Sequence, residues 1–183
     1  MNQLEDVIIK AVKTAQRDYE NMTGGWWLSH GPESFLMSAV ASKISKKGEF
    51  WVFLDASPKK IQKELKEHPR GRPRKKNQGK RFDLVVWKKA SEELRAILEI
   101  KRAWNIIGLR ADRKKMAEYV KSNKDYDIAA YLLAYTEARR ENTLSNRLKS
   151  WTDRLDCTLV ASSMDCKGDG EWGWAAGLFR LKQ

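Results

Sequence analysis

Histidine is nearly missing from this chain of 183 residues: there are two, His30 and His68, with no partner at a fixed spacing. That removes the usual general base and most zinc chemistry. Cysteine is equally sparse. Cys157 and Cys166 have no companion pair and no histidine cluster beside them, so neither a disulfide framework nor a structural zinc site is supported, and two idle thiols are expected. No run approaches the eighteen apolar residues of a membrane span. The opening "MNQLEDVIIKAVKTAQRDYENM" has acids and helical periodicity in place of a signal peptide's basic start and unbroken apolar block, so a cytoplasmic protein is expected, in a host's cytosol if a phage or mobile element encodes it.

What the chain has is tryptophan and positive charge. Eight Trp and 42% hydrophobic residues suit a packed globule, and the length suits a single domain spanning 1–183. The net charge of +12 is unevenly placed. Residues 56–81 hold eleven Lys or Arg against two acids, whereas residues 1–55 are close to neutral. A patch this dense is the footprint of a polyanion partner. Without the apolar stripe of a membrane-surface helix, nucleic acid is favoured over anionic lipid.

Periodicity places the elements. Leu4, Val7, Ile8, Ala11, Val12, Ala15 and Tyr19 fall on one helical face over 3–21, closed by Gly24 and Gly25. Pro32 opens a second helix, "PESFLMSAVASKIS", with Glu33 in its first turn. "EFWVFLD" reads as a strand and "SPKKIQKELKEH" as a capped basic helix or turn. A basic loop at 68–81 leads into two strands, 81–87 and 94–103, whose short connection implies an antiparallel hairpin. A helix at "GLRADRKKMAEYVKSN", a buried strand at "DIAAYLLAYTEA", a helix at "ENTLSNRLKSWTDRL" and two closing strands complete the order α-α-β-(α)-β-β-α-β-α-β-β. The class is α/β or α+β with a mixed sheet flanked by helices.

Chemistry concentrates in the hairpin. Strand alternation puts Leu98 and Ile100 on one face and Glu99 and Lys101 on the other. With the turn centred near residue 91 or 92, Asp83 lies across from Glu99, Ile100 or Lys101. Two converging carboxylates form a hard-oxygen site for Mg²⁺ or Mn²⁺, and a neighbouring lysine can orient the attacking water or offset charge at phosphorus. The plainer alternative is a surface ion pair contributing under about 1 kcal/mol.

"RFDLVVW" followed by "ILEIKRAW", preceded by "GPESFLMSAV" and followed by a helix and a buried strand, resembles the PD-(D/E)xK, or restriction-endonuclease-like, nuclease superfamily over residues 30–135. The resemblance implies an α-β-β-β-α-β core, Asp83 and Glu99 as metal-binding acids, the main-chain carbonyl of Ile100 as a further ligand, Lys101 as the catalytic lysine and Glu33 as the helix acid found in some branches. Phe82 stands where the family name places proline. A metal-dependent endonuclease acting on DNA is the function this implies; an inactive DNA-binding or regulatory module and an RNA-directed nuclease are the alternatives, and a homodimer is kept among the partners.

"PRGRP" at 69–73 resembles an AT-hook core, which lays Arg-Gly-Arg-Pro along a narrow minor groove. The alternative is a solvated loop whose Arg70, Arg72, Arg74, Lys75, Lys76, Lys80 and Arg81 contact phosphates alone. Arg110, Arg113, Lys114 and Lys115 form a second basic face, either backbone-contacting or merely solvated. The tryptophans suit base stacking or, more commonly at strand spacing, the core.

Overall fold

The computed structural model describes residues 3–57, 81–166 and 172–182. A mixed sheet of six strands lies between two pairs of helices. The strands are β1 (Phe50–Ala56), β2 (Phe82–Lys88), β3 (Glu93–Arg102), β4 (Ala129–Ala138), β5 (Cys157–Cys166) and β6 (Gly173–Leu181), in spatial order β1-β2-β3-β4-β6-β5. Among the described residues β3 and β4 run parallel and every other pairing is antiparallel. The parallel step needs a crossover, and α3 (Ile106–Ser122) supplies it.

Alternation along the strands feeds two cores. Leu84, Val86, Leu98, Ile100, Tyr131, Leu133 and Tyr135 meet α1 (Gln3–Thr23) and α2 (Glu33–Ser45) on one face. Val85, Ile97, Leu132, Ala134 and Phe179 meet α3 and α4 (Glu141–Leu155) on the other. β4 is buried at all ten positions, as the apolar run "DIAAYLLAYTEA" implies for a strand covered on both faces. Each helix is held by the stripe its sequence provides: in α1, Leu4, Val7, Ile8, Ala11, Val12 and Ala15 are all buried. Among the described residues no helix is long and apolar enough to cross a membrane.

The packing is tight where β6 lies under α4. A Cβ built on Gly177 would stand 2.9 Å from the Phe179 ring and 3.0 Å from a Leu148 methyl, so this strand glycine makes room for its neighbours. Cys157 is buried and Cys166 is half-buried. The helix expected over "SPKKIQKELKEH" and the basic loop lie outside the described residues, apart from Ser57 and Arg81.

Candidate functional site

The β2–β3 hairpin has the register that the turn position implies, with Leu84 opposite Leu98 and Val85 opposite Ile97. A bulge at Val86/Trp87 absorbs the one-residue offset nearer the turn. The ladder stops at Leu84–Leu98. Beyond it the Asp83 side chain takes over the pairing: the backbone N–H of Ile100 donates to its Oδ2 at 2.7 Å. On the other edge the register passes from Leu54–Leu84 to Ala56–Phe82, because Asp55 between them adopts a left-handed backbone with φ 47°. The strands thus part at Asp83, leaving its carboxylate at the opening between them.

Glu99, on the neighbouring strand, is only 3% exposed. Burial, reinforced by the nearby Asp83 charge, pushes its pKa up to about 8, against the pull of the Lys115 ammonium that ion-pairs with its Oε1. Burial also raises Asp83, opposed by the Ile100 amide and by Lys101 and Lys115. The Asp83 charge is thus felt at Glu99, the Lys115 charge acts on both acids, and both act on Lys101.

Lys101 lies between carboxylates, with its Nζ 3.8 Å from Glu33 and 3.7 Å from Asp112. Burial acts to lower its pKa, but Asp112, Glu33, Asp83 and Glu99 together outweigh that and hold it above the ordinary lysine value. Glu33, in the first turn of α2, accepts the backbone N–H of Arg102 at 3.1 Å, which ties the helix start to the end of β3. The structure thus brings together Asp83, Glu99, Lys101 and Glu33.

It adds two residues that sequence reasoning missed or undervalued. Asp112 and Lys115 stand three apart on α3, facing the sheet, with Lys115 Nζ 3.8 Å from Asp112. Lys115 also donates to the carbonyl of Arg81 at 2.9 Å and lies 5.3 Å from the Phe82 ring centre. Counted with the basic face of α3, it is instead turned inward. Its spacing of three from Asp112 was the available signal, but it identifies a pair rather than the strand that the pair meets.

Of the basic residues assigned to nucleic acid, Arg81 is described and its guanidinium forms an ion pair with Asp55. Arg70, Arg72, Arg74, Lys75, Lys76 and Lys80 lie outside the described residues, as does the AT-hook-like "PRGRP". Among the described residues no group of three or more His, Cys, Asp or Glu side chains is set to hold a metal ion. The donors that the resemblance implies are the Asp83 and Glu99 carboxylates and the Ile100 carbonyl.

Seven of the eight tryptophans divide between core and cleft, and Trp51, on β1, is 44% exposed. Trp87, Trp151 and Trp174 are buried in the cores, as the commoner fate predicts. Trp26, Trp27, Trp104 and Trp172 instead line an open cleft of about 500 Å³ together with His30 and Glu137.

Comparison with family models, curated proteins and solved structures finds no match for this chain.

Proposed function

We propose that this chain is a divalent-metal-dependent deoxyribonuclease of the restriction-endonuclease-like class, cutting phosphodiester bonds within DNA. The observation that carries the reading is the nearness of Asp83 and Glu99 where β2 and β3 part, close enough for the Asp83 charge to act on Glu99, with Lys101 between Glu33 and Asp112. The element order α2-β1-β2-β3-α3-β4 agrees with the α-β-β-β-α-β core implied by the resemblance.

The donor set suits Mg²⁺ or Mn²⁺. Mg²⁺ is commonly held by one or two carboxylates while keeping waters and taking substrate phosphate oxygens, so two acids suffice. The Lys115 ammonium stands against the Glu99 oxygen, the position that a bound ion would take over from it. An ion held by Asp83, Glu99 and the Ile100 carbonyl would polarise the scissile phosphate and lower the pKa of a bound water.

The chain's own groups do the remainder. Asp83 is fixed in orientation by the Ile100 amide, so its second oxygen is directed without side-chain freedom. Lys101, between Glu33 and Asp112, is an ammonium that can orient the attacking water or offset charge developing on the phosphoryl oxygens. Lys115 offsets the Glu99 charge. The loop residues Arg70, Arg72, Arg74, Lys75, Lys76 and Lys80 would grip phosphates close to the site, since the chain enters Asp83 directly from them.

One observation favours a second reading. Because Lys115 closes on Glu99, the acids are already charge-compensated, as suits a DNA-binding or regulatory module without turnover. Cleavage separates the two. With Mg²⁺ or Mn²⁺, the purified protein should nick or linearise supercoiled plasmid, and Asp83→Asn, Glu99→Gln and Lys101→Ala should each abolish this while retaining DNA binding. Binding without cleavage by the wild type would favour the module.

A further inference from the structure

Glu137 has no role in the chemistry above, yet it is the charged residue least at ease in the fold outside that site. It sits near the C-terminal end of β4, is 4% exposed, and its Oε1 is buried with no hydrogen-bond partner among the described residues. Its carboxylate is steadied by the backbone N–H of Ser29, and the Arg102 charge acts on it from the neighbouring strand. An unpartnered buried acceptor is costly, and persists where a ligand completes it.

What Glu137 lines is an aromatic cleft. Trp26, Trp104 and Trp172 are 60%, 58% and 46% exposed, an unusual amount of indole to leave in water. Trp27 meets Trp172 edge to face at 6.4 Å, and Trp26 meets His30 the same way at 5.0 Å, so the walls are braced against each other. The cleft lies at the carboxyl ends of β3 and β4, the parallel pair, where open α/β sheets receive ligands. Glu99 on β3 and Trp104, two residues beyond its end, are five residues apart, at most roughly 17 Å of extended chain.

Charge selects the ligand. The Arg139 guanidinium stands 5.4 Å from the Trp172 ring centre, and the Arg102 charge acts on Glu137, so positive charge reaches the cleft from both. A cationic guest such as a methylated ammonium would meet that repulsion, whereas a nucleotide would place its phosphate toward the arginines and its base between the indoles.

We propose that the Trp26, Trp104 and Trp172 cleft binds one unpaired nucleobase of the substrate strand, stacked on indole, with Glu137 accepting from an exocyclic amino group and preferring guanine. Guanine offers two adjacent N–H donors to a carboxylate, thymine a single ring N–H. This rests on the nuclease reading for its biological sense, but binding can be measured without turnover.

The test uses the full chain carrying Glu99→Gln, in EDTA, with fluorescence anisotropy of a labelled single-stranded thymine heptamer and of the same strand bearing one central guanine. The guanine strand should bind at least about fivefold more tightly. Trp104→Ala, a change on the surface, should weaken both strands about fivefold or more. Glu137→Ala should erase the preference and spare thymine binding; if it misfolds by circular dichroism, Glu137→Gln, which can retain the Ser29 contact, should lose the guanine preference too. A uracil heptamer and its guanine-bearing counterpart in RNA report whether the strand is ribose or deoxyribose, and a guanine preference in either polymer supports the site. Equal binding of guanine and thymine strands in both polymers, unchanged affinity in Trp104→Ala, or tighter capture of a trimethyllysine peptide than of either strand would overturn it. Because the assay contains no metal, loss of cleavage elsewhere cannot be mistaken for failure of this site.

Discussion

The Asp83 carboxylate accepts the backbone N–H of Ile100 at 2.7 Å, replacing the ladder hydrogen bond that the parting strands no longer make. One oxygen is therefore structural and the other is left for chemistry. Asp83→Asn keeps an acceptor for the amide, while Asp83→Ala orphans it. Urea unfolding should place the Asn variant within about 0.5 kcal/mol of wild type and the Ala variant about 1–3 kcal/mol lower. Equal losses would mean the contact contributes nothing.

Gln16 supports the aromatic cleft from behind. Its Oε1 accepts both the Leu28 N–H at 3.1 Å and the Tyr135 hydroxyl at 2.6 Å, joining α1, β4 and the short 3-10 turn Leu28–His30. Gln16→Leu removes a shared acceptor from two buried donors and should cost about 2–4 kcal/mol in thermal or urea unfolding. Hydrogen exchange at 26–31 should quicken beyond the global change, since that turn loses its anchor.

Glu137 should give stability a pH dependence of definite sign. Burial raises its folded pKa to about 7, above the ordinary 4.5. Well below pH 4.5 the group is protonated in both states and costs nothing. Between about 4.5 and 7 the unfolded chain releases the proton while the folded chain holds it, so stability falls as pH rises, by at most about 1.4 kcal/mol per pH unit. Glu137→Gln lacks this titration. Its stability advantage over wild type should grow across that window and level off above it, a difference in which shared groups cancel. A flat difference from about pH 4 to 8 would contradict the burial of this acid.

The basic loop should appear in the salt dependence. If Arg70, Arg72, Arg74, Lys75 and Lys76 contact phosphates, the slope of log affinity against log salt for duplex DNA should fall by about 0.9 for each contact removed. Changing all five to Gln should lower affinity at about 0.1 M salt and flatten the slope together. An AT-hook contact would add a preference for AT-rich over GC-rich duplex, lost in Arg70→Ala and Arg72→Ala.

Much of this arrangement was legible in the residues. Period-2 alternation and a short turn were enough to set Asp83 opposite the segment from Glu99 to Lys101, and the hydrogen bond from the Ile100 amide to its carboxylate falls within that span. The start of α2 followed from Pro32, and the buried character of β4 from its composition. What sequence could not show was convergence across elements. Asp112 and Lys115 lie on a helix whose angle to the sheet decides that they reach Lys101 and Glu99. Trp26, Trp104 and Trp172 are far apart in the chain and meet only because the ends of β3, β6 and the turn after α1 meet. Glu137 did carry a signal, an acid in an otherwise apolar strand, the same kind that drew attention to Glu99.

The central claim, that Asp83 and Glu99 hold a catalytic divalent ion, is tested most directly by titrating Mn²⁺ into the protein by isothermal calorimetry. The account predicts a Mn²⁺ site in the wild type that is lost in both Asp83→Asn and Glu99→Gln. No binding by the wild type in the presence of DNA, or undiminished binding by either variant, would contradict it.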